Sequence, residues 1–171
     1  MDAILGLLRI KVRIGINLAI RDAGSASSDP YVVITMGSQT SKTRVIKKNC
    51  NPEWNDILTL SITDPNIPIK LRVYDHDTFT KHDRMGDAII DIKPYIECMK
   101  MGLEELPIGT SVTKVQPNDN NCLADESKVV WIDKGKMIQD MVLKLQNVEK
   151  GKIQIQLEWF NPPGCKGLQS S

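Results

Sequence analysis

Aromatic residues are scarce in this 171-residue sequence, and neither sign of charge is in excess. Phe, Tyr and Trp make up 5% of the chain, and 22 Lys and Arg stand against 21 Asp and Glu, for a formal net charge of +1. Nucleic-acid-binding domains are usually strongly basic, so this balance does not indicate one. Any electrostatic function must therefore come from local clusters of charge.

The sequence also lacks paired cysteines and long hydrophobic runs. Its cysteines, Cys50, Cys98, Cys122 and Cys165, do not have the close spacing of zinc sites or redox motifs, which predicts isolated reduced thiols. No apolar run approaches the length of about 20 residues that a membrane-spanning helix needs. The opening "MDAILGLL" is short and has no basic start, Asp2 excludes myristoylation, and "GLQSS" offers no prenylatable cysteine. We therefore expect any membrane contact to be reversible.

What the sequence does contain is a series of short segments in which apolar and polar residues alternate. In "LLRIKVRIGINLAI", the apolar Leu8, Ile10, Val12 and Ile14 are expected to share one buried face of a strand. The segments "DPYVVITM" and "KTRVI" predict a hairpin, and further strands are predicted at "ILTLSIT", "IPIKLRVY", "GDAIIDI", "KVVWID", "MVLKLQN" and "GKIQIQLEW". The sequence therefore predicts an all-β chain, an antiparallel β-sandwich of about eight strands.

One region departs from this rhythm. "KPYIECMKMGLEEL" predicts a short helix followed by a loop, and "PNDNNCLADES" is polar and rich in turn residues, so residues 94–127 are expected to be irregular. The length of the chain favours a single domain. We expect that domain to span residues 1–160 and to be followed by a loose C-terminal tail over residues 161–171.

Two acidic segments are candidates for a metal site. "YDHDTFTKHD" brings Asp75, Asp77 and Asp83 close together after a predicted strand, and "RDAGSASSDP" supplies Asp22 and Asp29 around the preceding strand connection. If both segments lie at the same end of a sandwich, five carboxylates converge. Calcium accepts six to eight oxygen ligands in flexible geometry, so the sequence favours a calcium ion (Ca2+) as the cofactor.

Three other interpretations compete with this one. A helix-loop-helix calcium motif requires Gly at loop position six and an acidic residue at position twelve, but counting from Asp75 these positions hold Thr80 and Gly86. A zinc site using His76 and His82 would lack a nearby cysteine and would have carboxylates in excess. The aspartates could also be ordinary turn-forming residues in exposed loops.

The motifs of the chain resemble those of the C2 domain. "SDPYVVITM", "NPEWND" and "VYDHDTFTKHDRMGDA" are similar to the strand opening, the N-P-x-W-N turn and the calcium loop of that family, in its order and spacing. The resemblance implies calcium-dependent function, because none of the five acidic positions is substituted. Carried over position by position, it implies seven calcium ligands: the carboxylates of Asp22, Asp29, Asp75, Asp77 and Asp83, and the backbone carbonyls of Arg21 and His76.

A closer resemblance covers nearly the whole chain. "NLAIRD", "RVIKKNCNPEWND", "MGLEELPIGT" and "QIQLEWF" are similar to segments of the plant C2-domain abscisic-acid-related family, and residues 94–150 look like that family's insertion. The resemblance implies type II topology, in which the last strand fills the gap beside the first. It also implies calcium-dependent binding to anionic phospholipid membranes and recruitment of abscisic acid receptors of the PYR/PYL type to the plasma membrane. The expected locations are the cytoplasmic face of the plasma membrane, the cytoplasm and the nucleus.

Lipid contact would need residues beside the calcium ligands. Phe79 lies in the middle of the third loop and is a candidate for membrane insertion, although it could equally pack on its own strand. In the C2 family a basic pair at the positions of Lys42 and Arg44 forms part of a phosphoinositide site, which Lys47 and Lys48 would extend. The positions that would support this site on the preceding strand are Val33 and Thr35, so it is depleted of charge.

The alternative function is regulation of a nucleotide hydrolase. A GTPase-activating protein could place one of Arg21, Arg44 or Arg84 against the transition-state charge, although no sequence feature marks any of them as an arginine finger. The chain itself is not expected to be an enzyme. It has no recognisable nucleophile motif and no glycine-rich phosphate loop.

Overall fold

The computed structural model describes residues 3–21, 28–76 and 82–168. Within these ranges the chain forms ten strands and one short helix. In chain order they are β1 (Gly6–Ile16), β2 (Pro30–Met36), β3 (Gln39–Lys42), β4 (Glu53–Ile62), β5 (Ile69–Asp75), β6 (Asp83–Ile90), α1 (Lys93–Lys100), β7 (Ser111–Val115), β8 (Ser127–Asp133), β9 (Lys136–Lys144) and β10 (Lys152–Phe160).

The strands form two antiparallel sheets that pack against each other. The larger sheet has the order β4-β1-β10-β9-β8-β7, and the smaller has the order β3-β2-β5-β6. The last strand, β10, lies directly beside β1, as type II topology requires. The predicted all-β antiparallel sandwich is therefore confirmed, with two more strands than expected in the described part of the chain.

Alternation along the strands builds the core. Every second residue of β5 and β10 is buried, with Ile69, Leu71 and Val73 on one sheet and Ile153 and Leu157 on the other. This is the pattern expected when one face of each sheet packs inward. Trp54 and Trp131 are also buried, as is usual for large aromatic residues in strands.

A β-bulge in β1 corrects one prediction. The pairing of β1 with both neighbouring strands shifts between Val12 and Ile14, and the extra residue reverses the alternation there. Ile14 is therefore only half-buried, and Gly15 takes the inward position. The prediction that Ile14 shares the buried face of Leu8, Ile10 and Val12 was wrong.

The hairpin at β2 and β3 is present, but its second strand ends earlier than predicted. Pairing stops at Lys42, because the buried Thr43 uses its hydroxyl oxygen to accept the hydrogen bond of the Val32 N–H at 2.9 Å. Beyond this point the chain turns toward β4, where the backbone N–H of Arg44 donates to the Asp56 carboxylate at 2.9 Å. The prediction that "KTRVI" forms a strand was therefore wrong beyond its first residue.

The predicted irregular region contains two regular elements. The short helix appears as α1, which starts at Lys93 with Pro94 in its first turn, where a missing backbone N–H costs nothing. β7 was not predicted, and it forms the edge of the larger sheet by pairing with β8. No helix in the ranges that the structure describes is long and apolar enough to cross a membrane.

One end of the sandwich collects several connections. Residues 17–21, 28–29, 43–52 and 145–151 meet where β5 ends and β6 begins, and backbone hydrogen bonds join them, such as Leu18 to Cys50, Asn49 to Ser28 and Gln146 to Asp87. We call this part of the molecule the loop end. The described residues of the two acidic segments lie at this end, so it is where the candidate site lies.

Candidate functional site

Three of the five predicted aspartates lie at neighbouring backbone positions at the loop end. Asp29 directly precedes β2, Asp75 is the last residue of β5, and Asp83 is the first residue of β6. Asp75 lies opposite Asp83 in the pairing of β5 with β6, and opposite Pro30 in the pairing with β2. The other two, Asp22 and Asp77, lie outside the described residues.

The Asp29 and Asp75 side chains are held by backbone hydrogen bonds. Asp75 is only 3% exposed, and one of its carboxylate oxygens accepts the Asp29 N–H at 2.8 Å. The Asp29 carboxylate accepts the Lys48 N–H at 2.7 Å, and the Asp29 carbonyl accepts the His76 N–H at 2.9 Å. These bonds connect β2, β5 and residues 43–52, so the carboxylates are fixed before any ligand arrives.

Arg21, whose backbone carbonyl was predicted to bind calcium, also places its guanidinium beside this cluster. Its guanidinium donates two hydrogen bonds to the Glu149 carboxylate, at 2.7 and 3.1 Å, and one to the Arg84 carbonyl at 3.2 Å. The hydrogen bond with Glu149 raises the pKa of Arg21, and the charges of Asp83 and Asp75 raise it further. The same bond lowers the pKa of Glu149. Glu149 was not predicted, because nothing in "NVEKGK" suggests that this loop reaches the site.

Tyrosine and histidine rings form one wall of the loop end. Tyr31 stacks on Tyr74 with ring centroids 5.6 Å apart, and its hydroxyl shares a hydrogen bond with Nδ1 of His82. The rings of His82 and His76 lie edge to face at 4.7 Å. His82, for which the sequence suggested no role beyond a zinc alternative, therefore packs with Tyr31 beside the carboxylates.

The chemistry of these donors fits a calcium ion. Asp29, Asp75 and Asp83 offer oxygen atoms only, which is what calcium prefers, and their backbone positions are neighbours at the loop end. Across residues 3–21, 28–76 and 82–168, no three acidic, His or Cys side chains are close enough to one another to hold a metal ion. A complete cage would therefore require Asp22 and Asp77 from the two segments outside those ranges.

The four basic residues predicted to form a lipid site do not share one surface. Lys42 ends β3 and points away from the core, opposite Val33. Arg44 instead pairs with the Asp56 carboxylate at 3.2 Å and donates to the Trp54 carbonyl at 2.6 Å.

The other two basic residues lie elsewhere. Lys47 and Lys48 are exposed at the loop end, where the Lys48 backbone contacts Asp29. The predicted set is therefore divided between the smaller sheet and the loop end.

Two basic residues that sequence reasoning missed accompany Lys42. Val33 lies opposite Lys42 on one side and Arg72 on the other, and Thr35 lies opposite Lys70. Lys42, Lys70 and Arg72 therefore share the outer side of the smaller sheet, which we call the basic face. The signal was present in "IPIKLRVY", where the positions that alternate with the buried residues are basic.

The remaining predicted site residues are Phe79 and the three candidate arginine fingers. Phe79 lies outside the described residues. Of the three arginines considered for an arginine finger, Arg21 and Arg44 are both engaged in ion pairs, while Arg84 is exposed.

Comparisons with known proteins agree with this architecture. The sequence profile of the C2 domain matches residues 6–106. Protein C2-DOMAIN ABA-RELATED 4 of Arabidopsis thaliana is 58% identical over 168 residues, which cover 98% of this chain and 93% of that protein. Protein C2-DOMAIN ABA-RELATED 1 of the same plant is 50% identical over 171 residues, which cover 98% of this chain and 100% of that protein.

Solved structures show the same fold at lower identity. A calcium-bound structure of two C2 domains of extended synaptotagmin 2 matches with a TM-score of 0.63 and 24% identity, over 93% of this chain and 47% of that one. A C2 domain of plant extended synaptotagmin 1 matches with a TM-score of 0.58 and 19% identity, over 93% of this chain and 97% of that one. These likenesses concern the fold alone.

Proposed function

The chain belongs to the C2-domain ABA-related family, and from that premise we propose that it binds calcium at the loop end and, in that state, binds anionic phospholipid membranes. The neighbouring positions of Asp29, Asp75 and Asp83 at the loop end are the observation that carries this proposal. The complete ligand set would add the carboxylates of Asp22 and Asp77 and the backbone carbonyls of Arg21 and His76.

Calcium would change the sign of the field at the loop end. Without the ion, the carboxylates present negative charge that an anionic lipid surface repels. Bound calcium would neutralise or reverse that charge, and lipid phosphate or carboxylate groups could complete its coordination. This is an electrostatic switch that needs no change of fold, because hydrogen bonds already hold Asp29 and Asp75 in place.

Basic residues would then contact the lipid headgroups. Lys47 and Lys48 are exposed beside Asp29, so they would meet the membrane together with the calcium ligands. Phe79 would add an apolar contact from the third loop. The basic face, formed by Lys42, Lys70 and Arg72, would bind phosphoinositides. Lys70 and Arg72 would supply the positive charge that Val33 and Thr35 on β2 lack. Arg44 would contribute less, because its guanidinium is paired with Asp56.

The membrane-bound protein would act as an adaptor for abscisic acid receptors. The names of the relatives connect this family with abscisic acid, and residues 94–150 supply most of α1 together with β7, β8 and β9. We propose that these residues carry the receptor-binding surface. The protein would then recruit the receptors to the cytoplasmic face of the plasma membrane, and it would also occur in the cytoplasm and the nucleus.

Liposome co-sedimentation tests the calcium switch directly. The protein should sediment with vesicles that contain phosphatidylserine when calcium is present, and it should stay in the supernatant when a chelator is present. The variant Asp75→Asn plus Asp83→Asn should lose this response, since both changes remove charge while the new amide oxygen at position 75 could still accept the Asp29 N–H. The matched control is Asp133→Asn, at the turn between β8 and β9 on the opposite end, which should behave as the unmodified protein.

Two outcomes would contradict the proposal: equal sedimentation in chelator, or a calcium response that survives the double substitution. Further arms of the assay separate the lipid contacts. Lys47→Gln plus Lys48→Gln should weaken binding to phosphatidylserine vesicles, whereas Lys70→Gln plus Arg72→Gln should weaken only the additional binding that a phosphoinositide confers. Adding a purified abscisic acid receptor should place it in the pellet only when this protein and calcium are both present.

A further inference from the structure

We propose that Glu149, in the connection between β9 and β10, is a positioning residue that sets the calcium affinity of the loop end by holding the Arg21 guanidinium away from the carboxylates. This inference rests on the proposed calcium-binding function and deepens it. It assigns a role to residues 145–151, which supply none of the expected calcium ligands.

The backbone and the side chain of Arg21 are held by different partners. The Arg21 N–H donates to the hydroxyl of the fully buried Ser28 at 2.8 Å, and that hydroxyl donates to the Ala19 carbonyl at 2.9 Å. The backbone is therefore anchored independently of the guanidinium. A change at Glu149 would free the side chain of Arg21 while leaving its backbone carbonyl, an expected calcium ligand, in place.

The guanidinium has two sets of partners within reach. It is bound to Glu149 in bidentate fashion, and its Nε donates to the carbonyl of Arg84, the residue after Asp83. Asp83 in turn lies opposite Asp75 in the pairing of β5 with β6, so the guanidinium is held next to the backbone of two expected calcium ligands. Arg–carboxylate pairs of this geometry are among the strongest in proteins. Without Glu149, the nearest carboxylate for the guanidinium would belong to the calcium site.

An Arg21 side chain paired with Asp83 would compete with calcium. The ion would have to displace a covalently attached cation, so its affinity would fall. Groups around a metal site that orient its ligands or neighbours typically change affinity by about 10-fold to 100-fold when they are removed. Because Glu149 is exposed and outside the ligand set, we expect a loss of about tenfold, at the lower end of that range.

Calorimetric titration of the purified protein with calcium chloride tests this role. Glu149→Gln should bind calcium about tenfold more weakly. Adding Arg21→Gln to that variant removes the competing cation and should restore the affinity to about that of the unmodified protein. Asp87→Asn is the matched charge control, because Asp87 accepts hydrogen bonds from Asn147 in the same connection, whereas the guanidinium of Arg21 bonds to other residues. It should change the affinity by less than about twofold.

Three results would overturn the inference while leaving calcium binding intact: unchanged affinity in Glu149→Gln, an equal loss in Asp87→Asn, or a double variant as weak as Glu149→Gln alone. An equal loss in Asp87→Asn would show that the loss of affinity comes from the change in overall charge. A double variant as weak as Glu149→Gln would show that it comes from the connection between β9 and β10 and not from Arg21. Thermal unfolding without calcium should be similar in all variants, since Glu149 is exposed and Arg21 is only partly buried. If the unmodified protein does not bind calcium, the proposed function fails, and this inference fails with it.

Discussion

At the scale of single residues, Tyr95 joins α1 to the larger sheet. Its ring is fully buried, its hydroxyl donates to the Met137 carbonyl at 2.6 Å on β9, and it accepts the Trp159 N–H at 2.8 Å on β10. One oxygen atom therefore satisfies two buried backbone groups on neighbouring strands. Such groups cost about 1–3 kcal/mol each when they are left without a partner.

Replacing Tyr95 by Phe should lower the free energy of unfolding by about 2 kcal/mol at neutral pH, because the ring remains while both backbone partners are lost. Urea denaturation would measure this. Tyr74→Phe is the control, since that ring is half-buried against Tyr31 near the surface, and it should cost less than about 0.5 kcal/mol. Equal costs for the two variants would show that the buried hydroxyl has no special role.

The same residue predicts a dependence on pH. Burial raises the pKa of the Tyr95 phenol, so in alkali the unfolded chain ionises before the folded one. A raised pKa gives stability that is complete below about pH 10, the pKa of an unperturbed tyrosine, and is lost as the pH rises through the folded value. The stability difference between the unmodified protein and Tyr95→Phe, measured by urea denaturation, should therefore stay constant from about pH 7 to pH 10 and shrink above about pH 10.

At the scale of elements, β6 and the connection between β9 and β10 pack closely against each other at Gly86. This glycine has a φ of 108°, and a Cβ placed there would lie 2.7 Å from the Val148 side chain and 2.9 Å from that of Leu145. Its neighbour Met85 is fully buried in the core. Met85 thus anchors β6 in the core, and Gly86 lets residues 145–148 approach the backbone of β6.

Gly86→Ala should therefore destabilise the protein by about 3 kcal/mol, which combines backbone strain with overpacking. Gly135→Ala is a matched control, because Gly135 also has a positive φ, of 80°, but nothing lies within 4 Å of its Cβ position. It should cost about 1 kcal/mol from backbone strain alone. Chemical denaturation of both variants would measure the difference, and equal losses would refute the close approach at Gly86.

At the scale of the whole molecule, the two ends of the chain meet in the larger sheet. β10 pairs with β1 on one side and β9 on the other, and Ile153, Ile155 and Leu157 are fully buried. Beyond β10, the N–H groups of Lys166 and Gly167 donate to the carbonyls of Ile4 and Leu5, at 2.9 and 2.8 Å. The last strand therefore completes the sandwich, and the segment after it lies against the start of β1.

Two truncations should have very different effects. A chain ending at Phe160 loses the two hydrogen bonds to residues 4 and 5, and should remain folded with a loss of about 2 kcal/mol. A chain ending at Gly151 loses β10 from the middle of the sheet, which leaves β1 and β9 without a shared partner, and should not fold. Circular dichroism and thermal unfolding would distinguish these outcomes. A folded chain without β10 would contradict the type II arrangement.

Much of the fold could be predicted from the alternation of apolar and polar residues, because every second side chain of a strand with one buried face points into the core. The exceptions have local causes. The bulge at Val12–Ile14 inserts one residue without any sequence mark, Thr43 ends β3 through its own hydroxyl, and β7 is short and only partly buried. At the candidate site, aspartates could be identified from their density in two segments. The partners that hold them come from distant parts of the chain.

The sequence by itself determined the fold class, the family and the two acidic segments, since these depend on local pattern and residue type. Only the tertiary structure decided which charges meet. It joined Arg21 to Glu149, 128 positions later, paired Arg44 with Asp56, and placed Lys70 and Arg72 beside Lys42. The reason is that charge interactions depend on distance in space, and strand order and register set that distance.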